Sequence, residues 1–277
     1  MPRRERVERW SERVVRVLAP NPSPLTLEGS NTFVVAEPAS RAAVVIDPGP
    51  ADEGHAARTV RACGGRRVEL VLLTHGHLDH AEGARGFAAR VAAPLAAVDP
   101  SWCTPDAPPL VPDEPLAAGG LGLVPVPTPG HARDHCCFWL DGERAMFTGD
   151  HVLGRGTTVV EWPQGDMAEY LHSLAVVQGY HPDRLYPGHG PLVHDARVKL
   201  SEYVAHRRMR ERQVLEALQM GDRTPAQIVA RVYAGVDRRL HPAAELSVRA
   251  HLVKLVREGQ VRADGDTFGL AGLAGPA

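Results

Sequence analysis

The chain has 277 residues, of which 44% are hydrophobic and 23% are charged, and its formal net charge is -2. This composition is typical of a globular protein with one large core and a small appended domain, and the charge excludes a global nucleic-acid-binding signature. No stretch approaches the roughly 20 apolar residues of a membrane helix. The four cysteines show no CxxC spacing. We therefore expect a cytoplasmic protein that contacts no membrane and has neither a disulfide framework nor a thiol zinc knot.

Short runs rich in β-branched residues predict strands along the first two thirds of the chain. The predicted strands are 14–18, 32–36, 42–46, 68–73, 121–126, 136–140, 145–148 and 184–186. Apolar residues at helical spacing predict helices after residue 84 and over 167–178, and the proline-rich segment 94–115 predicts a loop or lid. Strands followed by helices, repeated twice, predict an α/β fold of two sheets with helices outside.

The tail differs from the rest of the chain, because it is helical and richer in basic residues. Thr224 and Pro225 form a helix start signal, and further apolar faces predict one helix before it and one after it. A turn at Asp264 and Gly265 then predicts a hairpin. Three helices and a hairpin predict a winged helix. The predicted domains are a catalytic domain, 1–204, and a winged-helix domain, 205–277.

Potential metal ligands are concentrated directly after the apolar strand 68–73. His75, His77, Asp79 and His80 supply four ligand side chains within six residues. A lone histidine is more often a surface or core residue, but such a cluster is costly to desolvate unless a cation binds it. Three later side chains lie in Gly-containing turns after other predicted strands: His131, Asp150 and His189. Seven ligands are too many for one tetrahedral ion and suit two ions about 3.5–4 Å apart that share a water molecule.

The motif HxHxDH at 75–80, followed by His131, Asp150 and His189 in that order, resembles the metallo-β-lactamase fold superfamily. The resemblance implies an αββα metallo-β-lactamase sandwich, with the site at one edge and two zinc ions, or other divalent metals such as manganese or iron. True β-lactamases of this fold usually lack the bridging Asp and are exported, which argues against antibiotic hydrolysis. The implied ligands are His75, His77 and His131 for the first metal, Asp79, His80 and His189 for the second, and Asp150 for both.

Shorter motifs narrow the resemblance to the β-lactamase-like protein 2 family, which carries an associated winged-helix domain. These motifs are 29–32, 149–154, 156–159, 186–191 and Tyr203-x-x-His206-Arg207. The best-described members are similar to zinc endoribonucleases that act on single-stranded RNA, and others resemble thioesterases of polyketide pathways. By this resemblance, Asn31, Thr157 and Thr158 line the substrate pocket. His135 lies four residues after His131 and is predicted as a fourth residue at the substrate, where it would be either a proton donor or a structural hydrogen-bonding residue.

The sequence therefore predicts a dinuclear zinc hydrolase, in which Asp79 ligates a metal and orients the attacking hydroxide. The predicted substrate is single-stranded RNA, and the alternative is a thioester or ester, cleaved by a glyoxalase II-like or polyketide-type enzyme. A non-enzymatic winged-helix regulator is the third hypothesis, and a homodimer is a further expectation. Residues 197–258 contain thirteen basic and seven acidic side chains. This local excess suits RNA binding as well as it suits an ordinary solvated helical surface.

Overall fold

A computed structural model describes residues 6–272 of the chain. Residues 1–5 of the predicted catalytic domain and residues 273–277 of the predicted winged-helix domain lie outside the described part. Two sheets form its larger part. The first contains β1 (Val7–Arg9), β2 (Val14–Leu18), β3 (Asn31–Val35), β4 (Ala42–Ile46), β5 (Arg67–Leu72) and β6 (Leu95–Ala96). The second contains β7 (Leu116–Ala118), β8 (Leu121–Pro127), β9 (Cys136–Leu140), β10 (Ala145–Gly149) and β11 (Arg184–Pro187).

The helices are distributed over the outer faces of the two sheets and the tail. Their bounds are α1 (Glu53–Ala62), α2 (Leu78–Ala81), α3 (Ala84–Val91), α4 (Met167–Gly179), α5 (Ala196–Gln219), α6 (Pro225–Val232) and α7 (His241–Arg257). The tail ends in a hairpin of β12 (Val261–Asp264) and β13 (Thr267–Leu270). Within residues 6–272, no helix is both long and apolar enough to cross a bilayer.

Both sheets are mixed, and their pairing sets where the loops emerge. The strands of the first sheet lie in chain order, antiparallel from β1 to β4 and parallel from β4 to β6. In the second sheet the order is β11-β10-β9-β8-β7, and only β10 and β11 are parallel. Parallel neighbours present their carboxyl ends at the same sheet edge, which is where ligands collect in such folds.

The hydrophobic core lies in three layers. The middle layer fills the space between the sheets and includes Phe33, Phe138 and Phe147. On the outer face of the first sheet, α1 and α3 bury Cys63 and Phe87. The outer face of the second sheet is covered by α4 and the first half of α5. This arrangement confirms the predicted αββα sandwich.

The tail has its own core and forms the predicted winged helix. Thr224 caps α6 in a capping box with Gln227, as the sequence predicts for this helix start. Apolar side chains of α5, α6, α7 and the hairpin fill the small core, including Val214, Ile228 and Leu252. The helix α5 continues unbroken through the predicted domain boundary at 204/205, and that boundary stays a prediction.

The proline-rich segment 94–115 is mostly loop, as predicted, but its position differs from that of a lid. Ala107 and Leu110 are buried in the core between the sheets. The Leu110 N–H donates to the carbonyl of Ala97 at 2.9 Å, which fixes this part of the segment. Trp102 packs against the outer core of the first sheet. Apolar burial therefore ties the segment to the sandwich.

The middle layer gives a direct test of the sandwich. Phe147 is fully buried, and its ring centroid lies 5.1 Å from that of Phe33 and 4.8 Å from that of Tyr186. Phe147→Ala removes these contacts and leaves a cavity, so we expect the free energy of unfolding to fall by about 3–5 kcal/mol. Urea titration measures this loss. Leu25→Ala is the control, because Leu25 is 56% exposed and its loss should cost less than about 0.5 kcal/mol. Similar losses in the two variants would contradict the described packing.

Candidate metal centre

The seven side chains singled out in the sequence converge at one edge of the sandwich. The segment after β5 supplies His75 and His77, and the short helix α2 carries Asp79 and His80. His131, Asp150 and His189 follow β8, β10 and β11. Strand ends in both sheets therefore contribute ligands, which is why residues distant in sequence meet here.

Two glycines make this convergence sterically possible. Gly188, next to His189, has no Cβ, and a Cβ there would lie 2.7 Å from the ring of His80 and 2.8 Å from a carboxylate oxygen of Asp150. Gly130, next to His131, has φ of +131°, and a Cβ there would lie 2.4 Å from the backbone of Tyr170. A side chain at Gly188 would therefore displace two candidate ligands, and one at Gly130 would clash with Tyr170 and strain the turn that carries His131.

The candidate ligand atoms form three overlapping groups. In each group the atoms lie within 4.8 Å of one another. The groups are His75, His77 and His131; His75, His80 and Asp150; and Asp79, His80 and His189. Because His75 and His80 each occur in two groups, the groups form one continuous centre rather than separate sites.

Asp150 lies between the two outer groups. Its Oδ2 is 3.7 Å from Nε2 of His131, whereas its Oδ1 is 3.3 Å from Nε2 of His80 and 3.2 Å from Nε2 of His189. One carboxylate oxygen of Asp150 thus faces His131, and the other faces His80 and His189. This is the position that a bridging ligand requires.

The inner nitrogens of the histidines face one another and the carboxylates of Asp79 and Asp150. His131 Nε2 and His77 Nδ1 are 3.0 Å apart, and the Nε2 atoms of His80 and His189 are 3.3 Å apart. His75 Nε2 is buried and has no hydrogen-bond partner among the described residues. Leaving a buried polar atom unpaired is costly, so these nitrogens fit a bound cation.

Hydrogen bonds on the outer side of the rings fix their orientation. His80 Nδ1 lies 2.9 Å from Asp47 Oδ2, and His131 Nδ1 lies 2.7 Å from the carbonyl oxygen of Val159. His189 Nδ1 lies 3.2 Å from the Gly29 carbonyl oxygen, and His75 Nδ1 lies 3.0 Å from Thr74 Oγ1. Outer-shell acceptors of this kind hold metal-ligating imidazoles in one tautomer.

The sequence prediction missed Asp47. This carboxylate is 1% exposed, and it accepts hydrogen bonds from the backbone N–H and the hydroxyl of Thr74 as well as facing His80. It sits in Asp47-Pro48-Gly49, a segment with the composition of an ordinary turn. Its left-handed φ of +50° is a signal of function only once the backbone is known.

Buried charges shift the pKa values at this centre in two directions. Burial lowers the pKa of His131 to about 4, and burial together with His80 holds the pKa of His75 well below its usual range. Burial also lowers the pKa of His189, but Asp150 and Asp79 outweigh it and raise this pKa to about 9. The buried carboxylates therefore stabilise positive charge strongly, and a divalent cation would supply that charge.

Two sequence profiles match the chain. The Metallo-beta-lactamase superfamily profile matches residues 25–189, and the Beta-lactamase associated winged helix domain profile matches residues 224–269. The chain belongs to the metallo-β-lactamase superfamily. It is therefore a hydrolase of this fold, with an associated winged helix.

Similarity to known proteins extends over most of the chain. A beta-lactamase-like protein 2 homolog of Caenorhabditis elegans is 32% identical over 273 residues, which are 93% of this chain and 88% of that protein. An atrochrysone carboxyl ACP thioesterase of Aspergillus fumigatus is 37% identical over 216 residues, which are 77% of this chain and 67% of that protein. A solved beta-lactamase domain protein of Burkholderia ambifaria is similar in fold, with a TM-score of 0.81 at 20% identity over 96% of this chain and 93% of that one.

The four residues proposed to contact substrate differ in their placement. Asn31 is 1% exposed, and its amide donates to the carbonyls of Pro187 and Gly190 at 2.9 Å. Thr158 is buried, and its Oγ1 lies 3.3 Å from His131 Nδ1. Thr157 is partly exposed in the same loop. Asn31 thus joins the start of β3 to the segment that carries His189, and substrate contact by these three residues stays a prediction.

His135 lies beneath the centre rather than at its solvent-facing side. It is 1% exposed; its Nδ1 lies 2.8 Å from Thr128 Oγ1, and its Nε2 accepts from the backbone N–H of Asp150 at 3.2 Å. Burial, with His151 nearby, holds the pKa of His135 well below its usual range. Of the two roles left open by the sequence, this geometry favours the structural hydrogen bond.

We expect Asp47→Asn to weaken metal binding without unfolding the protein. The amide cannot accept from His80 and from both donors of Thr74, so the ring of His80 loses its fixed orientation. Changes of outer-shell acceptors typically cost about 10–100-fold in metal affinity. Competition with a chromogenic chelator measures zinc affinity. The control is Asp264→Asn in the terminal hairpin, where the side chain is exposed. Equal zinc affinities of the two variants would argue against this role of Asp47.

Proposed function

We propose that the chain is a dinuclear metal-dependent hydrolase that cleaves thioesters. The observation that carries the dinuclear part is the position of Asp150, which has one carboxylate oxygen towards His131 and the other towards His80 and His189. The first cation would be held by His75, His77 and His131, and the second by Asp79, His80 and His189. Imidazole and carboxylate donors without thiolate suit zinc, and they also suit manganese or iron.

When bound, two divalent cations acidify a water molecule and polarise the oxygen of the scissile group. The chain's own contribution is to hold the reacting groups in place. Asp79 has the more accessible of the two carboxylates, at 28% side-chain exposure against 13% for Asp150. Its Oδ2 accepts from Ser30 Oγ at 3.1 Å and lies 3.1 Å from His189 Nε2. Asp79 can therefore accept a hydrogen bond from the attacking water and fix its direction.

The leaving group distinguishes the two substrate classes. A thiol has a pKa of about 8.5, so a thiolate departs at neutral pH without a strong proton donor, whereas a ribose alkoxide needs one. His135 was the sequence candidate for that donor. Its hydrogen bonds to Thr128 and to the Asp150 N–H engage both ring nitrogens, and its lowered pKa disfavours the protonated ring, so it has no proton directed at a leaving group. The site therefore suits a thioester better than a phosphodiester.

The charge of the tail also supports the thioester. Many of its basic side chains are already paired with acidic ones. The pairs are Arg231 with Asp222, Arg239 with Asp237, Arg249 with Asp266, Lys254 with Glu211, and Arg257 with Asp166. Arg207 is 2% exposed. Two of these acidic partners, Asp166 and Asp266, lie outside residues 197–258, so they reduce the local basic excess that a phosphate backbone would meet. The named thioesterase activity of the Aspergillus fumigatus relative points in the same direction.

A panel of acyl thioesters on coenzyme A and on pantetheine tests the substrate class, with the released thiol detected by a chromogenic disulfide. We expect turnover by the zinc-loaded protein and loss of turnover on chelation. Asp150→Asn should lower kcat by more than about 100-fold, because even an outer-shell change costs about 10–100-fold. Asp264→Asn is the matched control. Metal analysis should give about two ions per chain; a constant content of one ion would contradict the dinuclear assignment.

Single-stranded RNA cleavage is the second candidate, and one feature of α5 favours it. Arg208 and Arg212 are exposed and lie four residues apart, so they share one side of the helix. The likeness to the beta-lactamase-like protein 2 homolog also extends through the winged helix. If RNA is the substrate, Arg208→Glu with Arg212→Glu should raise KM for RNA and leave thioester turnover unchanged. Labelled single-stranded RNA measures this, with Asp150→Asn as the contamination control. RNA that stays intact with metal-loaded wild type would exclude this candidate.

A further inference from the structure

The loop 154–166 lies between the metal centre and the C-terminal helices. On its inner side, the Val159 carbonyl oxygen is 2.7 Å from His131 Nδ1. His131 Nε2 in turn faces His77 Nδ1 at 3.0 Å and Asp150 Oδ2 at 3.7 Å. The Val159 carbonyl is the nearer of two groups at His131 Nδ1, since Thr158 Oγ1 lies 3.3 Å away, and its orientation therefore helps to fix both the tautomer of the ring and the direction of the candidate ligand nitrogen.

On its outer side, the same loop is held by the tail. Ser247 of α7 accepts a hydrogen bond from the Val160 N–H at 3.4 Å. The Val159 carbonyl and the Val160 N–H belong to one planar peptide group. Ser247 and His131 thus bind the two opposite ends of the same rigid plane, so a rotation of this plane would break both contacts.

A second contact fixes the preceding peptide group. Arg207 of α5 donates from Nη2 to the Thr158 carbonyl at 2.6 Å. Its guanidinium carbon lies 5.0 Å from the ring centroid of Tyr170, whose hydroxyl donates to the His151 carbonyl at 2.7 Å. Arg207 is 2% exposed, and a buried guanidinium requires such partners. With both flanking peptide planes held, the backbone at Val159 has little freedom to rotate.

Further along, the loop is attached to the end of α7. Arg257 pairs with Asp166 and lies over the ring of Trp162, 4.8 Å from its centroid. At the other end of the loop, the hydroxyl of Tyr203 in α5 accepts from the Leu153 N–H at 2.8 Å. Side chains of α5 and α7 therefore hold the chain at five residues between Leu153 and Asp166.

We infer that the winged helix is a structural part of the candidate metal centre, and that Arg207 and Ser247 are positioning residues for His131. The inference rests on the proposed metal-binding function. It concerns one side of the centre, because His80, His189 and Asp79 take their outer partners from Asp47, Gly29 and Ser30 in the catalytic part. Loss of the contacts from α5 and α7 should weaken binding of the cation held by His75, His77 and His131. Binding of the cation held by Asp79, His80 and His189 should stay unchanged.

The test uses full-length Ser247→Ala and Arg207→Lys. Ser201→Ala and Arg197→Lys are the matched controls, because both side chains are exposed on α5. Chelator competition resolves the two zinc dissociation constants. We expect one of them to rise about 10-fold or more in each test variant, as for other outer-shell changes, and neither to rise in the controls. Asp47→Asn should instead raise the dissociation constant of the cation held by Asp79, His80 and His189. The variants together therefore assign each dissociation constant to one side of the centre.

An NMR measurement adds a readout that general destabilisation would not reproduce. In zinc-loaded protein labelled with ¹⁵N-histidine, the Nδ1–H signal of His131 should move in Ser247→Ala and keep its position in Ser201→Ala. Arg207→Lys leaves part of a buried site empty, and this variant can fail to fold. In that case Ser247→Ala carries the test, because this substitution removes only one hydroxyl oxygen. Two unchanged dissociation constants with an unmoved His131 signal would overturn the inference. A wild-type protein that binds no zinc would instead overturn the proposed function.

Discussion

The structure depends on one constraint, which is that several buried imidazoles and carboxylates lie within hydrogen-bonding distance of one another. Such a cluster is unfavourable unless a cation compensates it and unless each ring is held from behind. The fold meets the second condition with Asp47, Thr74, Gly29 and Val159, each of which engages the outer nitrogen of one histidine. These partners come from loops of both sheets, so the sandwich has to form before the site can exist.

Most of the fold could be predicted because its signals are local. The strands at Val14–Leu18, Ala42–Ile46 and Cys136–Leu140 begin and end where the short apolar runs of the sequence do. The start of α6 follows from the signal of Thr224 and Pro225 that is visible in the sequence. The helix α2 was missed, since four residues around Asp79 are too few to show a helical period. The burial of Leu110 was missed because it depends on the second sheet.

The convergence of the candidate ligands could be predicted, whereas their outer hydrogen-bond partners could not. HxHxDH and the Gly-flanked His131, Asp150 and His189 have residue types and spacings that few other functions require. The carbonyl of Val159 carries no such signal, because every residue has a carbonyl. Arg207 belongs to a motif that the sequence resemblance identified, but its direction follows only from the packing of α5 against Tyr170. Outer-shell chemistry depends on tertiary structure, which one sequence does not reveal.

The placement of α7 bears on the role of the winged helix. In helix-turn-helix domains the recognition helix is free to enter the major groove of DNA. Here α7 is the third helix of the unit, and it contributes Ser247, Ala250 and Arg257 to contacts with the catalytic part. Side chains on this face cannot read a base pair while they hold the loop 154–166. The third helix of this winged helix is thus used for packing, and duplex DNA reading by that face would require the metal centre to lose its support.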